Sequence, residues 1–434
     1  MRVKRLAMHN FRGIEKMVLD FPSAPTAVLV GINGAGKSSI LDCMAVLLSR
    51  LIGRIRTSAG TGRFFAEQDI LNRADETRNS ITVTLSNQTK EWQVTKTRRG
   101  RKPQQHITNL DGLKRVVEEF GNLKPNTNIP VVVYYPTNRA VLDIPLRIRR
   151  RHEFDQLAAY DQALTGTRND FRIFFEWFRE REDIENERIR DVTMTGSKRE
   201  LRAQKGGNIL REAQARYGND RQLNAVRKAI ERMLPGFVNL RVRRQPLLRM
   251  TIEKGGEELV VNQLSDGEKC LLAMAGDLAR RLAIANPSLS NPLEGEGVVM
   301  IDELDLHLHP QWQRRVISAL EETFSNCQFV VTTHSPLVLS YVKREQVFLI
   351  EDFKLVENVP YTYGHDANSL LFDLMAVLDR PDEIKDKLKE CFRLIDADEM
   401  ELAKQRLAKL EKLLGPEDPE ITRARSMIAF MEEP

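Results

Sequence analysis

The chain has 434 residues, of which 29% are charged and 41% hydrophobic, with a formal net charge of +5, a profile that fits one elaborated globular domain or two to three smaller ones. No run approaches the roughly 18 apolar residues of a membrane span, and the opening MRVKRLAMHNFRGIEK lacks the apolar core of a signal peptide, so a cytoplasmic protein with no membrane partner is expected. Four scattered cysteines (Cys43, Cys270, Cys327, Cys391) form no CxxC pair, which speaks against zinc or redox work, and so small a net charge does not itself point to nucleic acid.

In chain order, short strands are expected over residues 2–8 and 17–21, then an apolar strand over 27–32, a glycine-rich turn and a helix over about 37–49. ITVTLSN (81–87) and KEWQVTKT (90–97) have the pattern of antiparallel strands joined by a turn, and VVVYY (131–135) that of a buried strand. From about 139 to 235 the chain is arginine-rich and helical in pattern, an insertion that leaves the main body. Strands return near 239–243 and 248–253, followed by LSDGEK, a helix, GVVMIDE, another helix and the strand QFVVTTH. VFLIEDFKLVE (347–357) reads as a terminal strand or hairpin, and the remaining tail is helical, interrupted at GPEDPE. The expected divisions are 1–138, 139–235, 236–367 and 368–434.

GINGAGKSS (31–39) fits G-x-x-x-x-G-K-[ST] and lies between an apolar strand and a helix, as that motif's mechanics require. Backbone N–H groups over Gly31, Asn33, Gly34, Ala35, Gly36, Lys37, Ser38 and Ser39, together with the helix N-terminus, would wrap the oxygens of a triphosphate. Lys37 would reach the β- and γ-phosphates and Ser38 would ligate Mg²⁺.

MIDELDLHLHP (300–310) allows two readings: a His-x-His metal site at His307 and His309, or carboxylates at the end of a strand. The second suits GVVMIDE, whose apolar run ends in Asp302, placed to hold Mg²⁺, and Glu303, placed to position or deprotonate an attacking water. FVVTTHS ends another apolar strand at His334, where an imidazole could bond the γ-phosphate and sense its loss. LSDGEK alone reads better as a helix N-cap than as a ligand site, but its position between the phosphate loop and the acidic strand changes that balance.

The combination NFRGIEK, GINGAGKSSILD, LSDGEK, IDELDLHLHPQWQ and TTHSPLVLS, with YGHDANSLLFDLM in the tail, resembles the ABC-type ATPases of the RecF, Rad50 and OLD group, and within it the compact bacterial ATPases of antiphage systems such as Septu. The resemblance implies an α/β fold: an ABC-type P-loop ATPase core with a mixed sheet, an N-terminal β-subdomain, a helical insertion or lid, and a helical C-terminal tail. It implies ATP and Mg²⁺ as cofactors and an Arg12 that reaches the nucleotide. Ser265, Gly267 and Glu268 of LSDGEK would then meet the γ-phosphate bound by a second subunit, making the protein a homodimer or higher homo-oligomer. Asn33 would help the loop meet that subunit, and HLHP matches the D-loop that crosses the interface, with His309 where many relatives carry aspartate. No glutamine marks the Q-loop: YYPTNR (134–139) supplies none, and Gln68 is a poor substitute.

The activity implied is that of a Mg²⁺-dependent ATPase which dimerises around ATP and controls a partner nuclease in antiviral defence. The alternatives are a RecF-like repair or recombination ATPase, and an ATP-bound scaffold or sensor with little turnover. Asp396, Asp398 and Glu399 cluster in LIDADEME, but on a helical pattern they read as a solvated face, and no HNH-like histidine pair is apparent, so any cutting would fall to a separate HNH-type subunit. Two basic stretches could meet the phosphates of DNA or be solvated surface: KTRRGRK (96–102), which resembles a hairpin tip, and the run over 139–151 containing LRIRRRHEF.

Overall fold

A computed structural model of the chain describes residues 1–101, 108–120, 127–137, 154–165, 170–195, 220–370 and 380–432. It divides into two compact units, Met1–His365 and Asp366–Pro434.

The first unit carries an antiparallel sheet of β1 (Arg2–Phe11), β2 (Ile14–Asp20), β4 (Glu76–Leu85) and β5 (Gln88–Thr97) in the order β2-β1-β4-β5. Burial alternates in the middle of β1, where Leu6 and Met8 face inward on either side of a half-buried Ala7, as a strand with one covered face requires. The central sheet has six strands: β3 (Thr26–Val30), β6 (Val131–Tyr135), β10 (Gly297–Ile301), β11 (Cys327–Thr332), β12 (Val347–Glu351) and β13 (Lys354–Leu355), ordered β13-β12-β3-β11-β10-β6. All pairings are parallel except the β12–β13 hairpin, so the sheet is mixed. β3, β6, β10 and β11 are buried at every position, which is why they read in sequence as unbroken apolar runs rather than alternating ones.

A third, antiparallel sheet joins β7 (Phe237–Arg243), β8 (Arg249–Lys254) and β9 (Glu257–Val260). The helices of this unit are α1 (Lys37–Arg56), α2 (Asp111–Phe120), α3 (Asp170–Thr195), α4 (Arg221–Met233), α5 (Asp266–Ala285), α6 (Pro310–Gln313), α7 (Val316–Thr323) and α8 (Pro336–Leu339). α5 is buried along most of its length and carries three charges into the core. Asp277 accepts from Arg280 Nη2 at 2.7 Å, Arg281 Nε at 2.6 Å and the Tyr135 hydroxyl at 2.9 Å. Burial opposes the Asp277 charge, but Arg281 and Arg280 outweigh it and hold the carboxyl below its usual range. Arg281 also donates to the carbonyls of Ala159 and Asp161, tying α5 to the turn after β6.

The second unit packs α9 (Asp382–Asp396), α10 (Met400–Leu414) and α11 (Pro419–Glu432) around an apolar cluster that includes Cys391, Ile395, Ala403 and Ile421. Asp396, Asp398 and Glu399 do not share a helical face. They lie exposed at the α9–α10 turn, where Asp398 has a φ of 61°.

KTRRGRK does not belong to the β4–β5 turn, which Ser86 and Asn87 make at positive φ, but leaves the other end of β5 and stands between Gln93 and Asn109, which pair antiparallel through two backbone bonds as the arms of a hairpin do. There Arg98 donates to the carbonyls of Ala74 and Leu71, and Arg101 pairs with Asp75. Lys102, the basic run over 139–151, and residues 196–219 of the insertion lie outside the described residues. Among the described residues no helix is long and apolar enough to cross a membrane.

Candidate nucleotide site

The C-terminal ends of β3, β11 and β10 open on one edge of the central sheet, the edge where ligands sit in open α/β sheets. β3 leads into the phosphate loop. Gly31 lies so close to the Ile350 carbonyl that a Cβ there would overlap it, and Gly36, at φ 107°, caps α1 in the left-handed region that glycine tolerates. Asn33, Gly34 and Ser38 are exposed, Ser39 is half-buried, and Ala35 and Gly36 are buried. Lys37 opens α1 with 6% of its surface exposed, its Nζ donating to the carbonyls of Gly31 at 2.8 Å and Ile32 at 2.9 Å.

One strand separates the loop strand from the acidic strand, and that strand, β11, supplies the groups that hold the acids. Thr332 Oγ1 donates to Asp302 Oδ1 at 2.6 Å and accepts from the Glu303 N–H at 2.7 Å, while the Thr332 carbonyl accepts from Leu304 N–H. Glu303 is thereby fixed at φ 49°, a conformation that non-glycine residues seldom adopt and that structures keep chiefly where function needs it. Asp305 Oδ1 accepts from Thr333 Oγ1 at 2.6 Å and from the His334 N–H at 3.2 Å, which sets the turn that carries His334.

These groups act on one another's charge. Burial lowers the Lys37 ammonium below its usual value, while Asp302, Glu303 and Asp305 pull it the other way. Burial, and then Lys37, lower the half-buried His334, against the upward pull of the same three carboxylates. Lys37, Asp302, Glu303, Asp305 and His334 therefore form one electrostatic cluster, of which the sequence reading placed Lys37, Glu303 and His334 in catalytic roles and Asp302 at the magnesium. It assigned no role to Thr332 or Thr333, although both lie in the TTHS motif.

Arg12 stands beside this cluster, on the turn between β1 and β2. Its Nη1 donates to Asp42 Oδ2 at 2.6 Å and its Nε to Asp69 Oδ1 at 3.0 Å, and its backbone N–H reaches the Asp69 carbonyl. Asp42, one turn into α1 from Ser38, also bonds the phenol of Tyr134, which burial has pushed well above its ordinary range. Asp42 ends the stretch GINGAGKSSILD without a role assigned to it, and Asp69 belongs to no motif.

LSDGEK forms the N-terminus of α5. Ser265 and Glu268 make a reciprocal capping box: Ser265 N–H donates to Glu268 Oε2 at 2.8 Å, and Glu268 N–H to Ser265 Oγ at 3.4 Å. Lys254 Nζ holds the other Glu268 oxygen at 2.7 Å; although burial opposes its charge, the bonds from Lys254 and Ser265 keep the carboxyl below its usual range. Ser265 and Asp266 are exposed at the helix tip. Gly267 is buried against the His307 carbonyl, where a Cβ would overlap that oxygen, so this glycine has a packing reason within its own chain.

His309 caps α6, its Nδ1 accepting from Gln311 N–H at 3.3 Å, and His307 sits at φ 63°. Among the described residues no group of three or more His, Cys, Asp or Glu side chains could hold a metal ion. Ser38 and Asp302 are a pair of hard oxygen donors, the kind Mg²⁺ takes when phosphate oxygens and water complete its shell.

Residues 27–340 match the family described as "AAA domain, putative AbiEii toxin, Type IV TA system". The chain is similar to the "Retron Ec83 probable ATPase" of Escherichia coli, with 31% identity across 96% of this chain and 85% of that protein. It is similar to the "Retron Vc95 probable ATPase" of Vibrio cholerae serotype O1 biovar El Tor, with 32% identity across 85% and 78%. Septu protein PtuA of Bacillus mycoides (strain KBAB4) is 23% identical across 85% of this chain and 44% of its own length. Among solved structures, an Smc head bound to the C-winged helix domain of ScpA covers 82% of this chain and 98% of its own, with a TM-score of 0.46 and 15% identity.

Proposed function

The chain belongs to this AAA-domain family, and on that premise we propose that it is a cytoplasmic, Mg²⁺-dependent ATPase that closes as a homodimer around ATP and controls a separate HNH-type nuclease in antiviral defence. The observation that carries the ATPase reading is the cluster of Lys37, Asp302, Glu303, Asp305 and His334 at the mouth of a glycine-rich loop. The antiviral part rests on the likeness to the Septu protein. The dimer rests on the resemblance of LSDGEK to a signature that serves a second chain's nucleotide.

In this reading the loop's N–H groups and the N-terminus of α1 hold the β-phosphate, and Lys37 turns from the carbonyls of Gly31 and Ile32 to the γ-phosphate. Ser38 and Asp302 would hold Mg²⁺, which when bound offsets charge on the phosphate oxygens. Glu303, fixed by Thr332, orients the attacking water and draws off its proton. His334, kept neutral by its surroundings, donates a hydrogen bond to the γ-phosphate and loses that partner on hydrolysis.

Glu303→Gln is the test. The variant should bind ATP, run as a dimer in its presence by light scattering, and lose nearly all turnover. Full turnover would remove Glu303 from the base role, and a monomer with ATP bound would remove the dimer. Antiviral activity retained by Glu303→Gln in the complete system would mark an ATP-bound scaffold instead of a hydrolysis-driven machine.

A further inference from the structure

Phe353 occupies a position that turn chemistry does not favour. The β12–β13 hairpin turns on Asp352 and Phe353, both at positive φ (43° and 61°), between the pairs Ile350↔Leu355 and Glu351↔Lys354. Such two-residue turns are built by Asn-Gly or Asp-Gly, and a bulky side chain in the left-handed region is an outlier. The reason for an aromatic there is found in what its ring touches. A Cβ on Gly13, in the β1–β2 turn next to Arg12, would lie 2.5 Å from Phe353 Cζ and 2.6 Å from its Cδ1. A Cβ on Gly36, the residue before Lys37, would lie 3.0 Å from Cδ1. The ring thus fills the gap between the arginine-bearing turn and the phosphate loop, touching both where neither has a side chain. The same hairpin meets the loop's other end, since Gly31 packs on the Ile350 carbonyl.

We propose that Phe353 is a positioning residue for the nucleotide: wedged between Gly13 and Gly36, its ring sets the distance from the phosphate loop to the β1–β2 turn, and so sets the affinity for nucleoside triphosphate. Arg12 secures the other side of that spacing through its pair with Asp42 on α1. Without the ring, the Gly34–Gly36 stretch, with its left-handed glycines and exposed Gly34, loses its nearest side-chain support at Gly36 and keeps Ile14, which stands farther off. The inference rests on the reading of residues 31–39 as a nucleotide loop.

Gly13 makes the proposal testable without touching the loop. Gly13 does not occupy the left-handed region, and the three atoms nearest to an added Cβ all belong to the Phe353 ring, so alanine there is opposed first by that ring. ATP affinity, from titration with a fluorescent ATP analogue, and steady-state turnover would be measured for the wild type, Phe353→Ala, Phe353→Leu, Gly13→Ala and the Gly13→Ala/Phe353→Ala double variant. Phe353→Ala should weaken binding on the order of ten- to a hundredfold, the range that a misplacement of about 1 Å costs, and should raise KM more than it lowers kcat. Phe353→Leu, which refills part of the gap, should recover most of the loss. Gly13→Ala should reproduce it by displacing the ring, and the double variant should bind no worse than Phe353→Ala alone. Unchanged affinity in Phe353→Ala, or losses that multiply in the double variant, would overturn the wedge. A wild-type chain that does not bind the analogue would overturn the nucleotide reading itself, which is a different result.

Discussion

Replacing Thr332 with valine removes one hydroxyl and almost no volume, so its effect isolates the two bonds that join β11 to the acidic strand. Thr332 is fully buried and Asp302 is 4% exposed, so neither lost bond is replaced readily by water. The bond to Asp302 ends on a carboxylate and is worth about 1.5–3 kcal/mol, and the one from Glu303 N–H about 1 kcal/mol. Thr332→Val should therefore lose about 2.5–4 kcal/mol of stability, read as a lower denaturation midpoint in guanidinium at unchanged slope. Glu303 also loses the acceptor that fixes its backbone at φ 49°, so turnover should fall on the order of ten- to a hundredfold while ATP binding persists. Thr332→Ser keeps the hydroxyl and is the control. If Thr332→Val matched the wild type in both midpoint and turnover, the hydroxyl would not be what holds the acidic pair.

Asp277→Asn leaves two buried guanidinium groups without their shared carboxylate and should cost about 3–5 kcal/mol; a loss under about 1 kcal/mol would show that the triad is solvated. His334 takes up its proton in the folded chain at a lower pH than in the unfolded one, because burial and Lys37 disfavour the imidazolium. Its contribution to stability is thus complete above about pH 6.5 and is lost as the pH falls from there toward the folded value. His334→Asn should flatten the stability profile in that window, and an unaltered slope would contradict the assigned surroundings. Neutralising Arg147, Arg149, Arg150 and Arg151, within the basic run outside the described residues, should weaken ATP-dependent DNA binding and lower its salt slope; unchanged binding and slope would reject contact there.

The sequence showed the central sheet clearly, because a strand buried on both faces is an apolar run and its end is marked by the polar residues it delivers. β3 delivers the phosphate loop, β10 delivers Asp302 and Glu303, and β11 delivers His334. β9 was missed because EELV is short, half-acidic and at a sheet edge, with no buried face to impose a pattern. Groups that brace the site were invisible for another reason: Arg12 meets Asp42 and Asp69 across 30 and 57 residues, and Thr332 meets Asp302 across 30. No local periodicity records such a pairing, and Asp42 and Asp69 read as ordinary acids on a helix and in a turn.

The same kind of long-range contact alters what His307 and His309 can do. The segment that carries them is bound on one side to the residues that follow β11: Asp305 receives Thr333 and His334, and Gln313 receives the Ser335 hydroxyl while its own amide donates to the Leu308 carbonyl. On the other side it is pressed against the first turn of α5, where the His307 carbonyl excludes a side chain from Gly267. In the proposed function, a shift of His334 would be passed along residues 305–313, which these bonds hold together, to Gly267. If LSDGEK serves as the proposed signature, this segment would be a route linking it to the proposed nucleotide site inside a single chain. The two histidines lie on that route, and both of their local constraints, the helix cap at His309 and the positive φ at His307, fix the shape of the segment that would carry the movement.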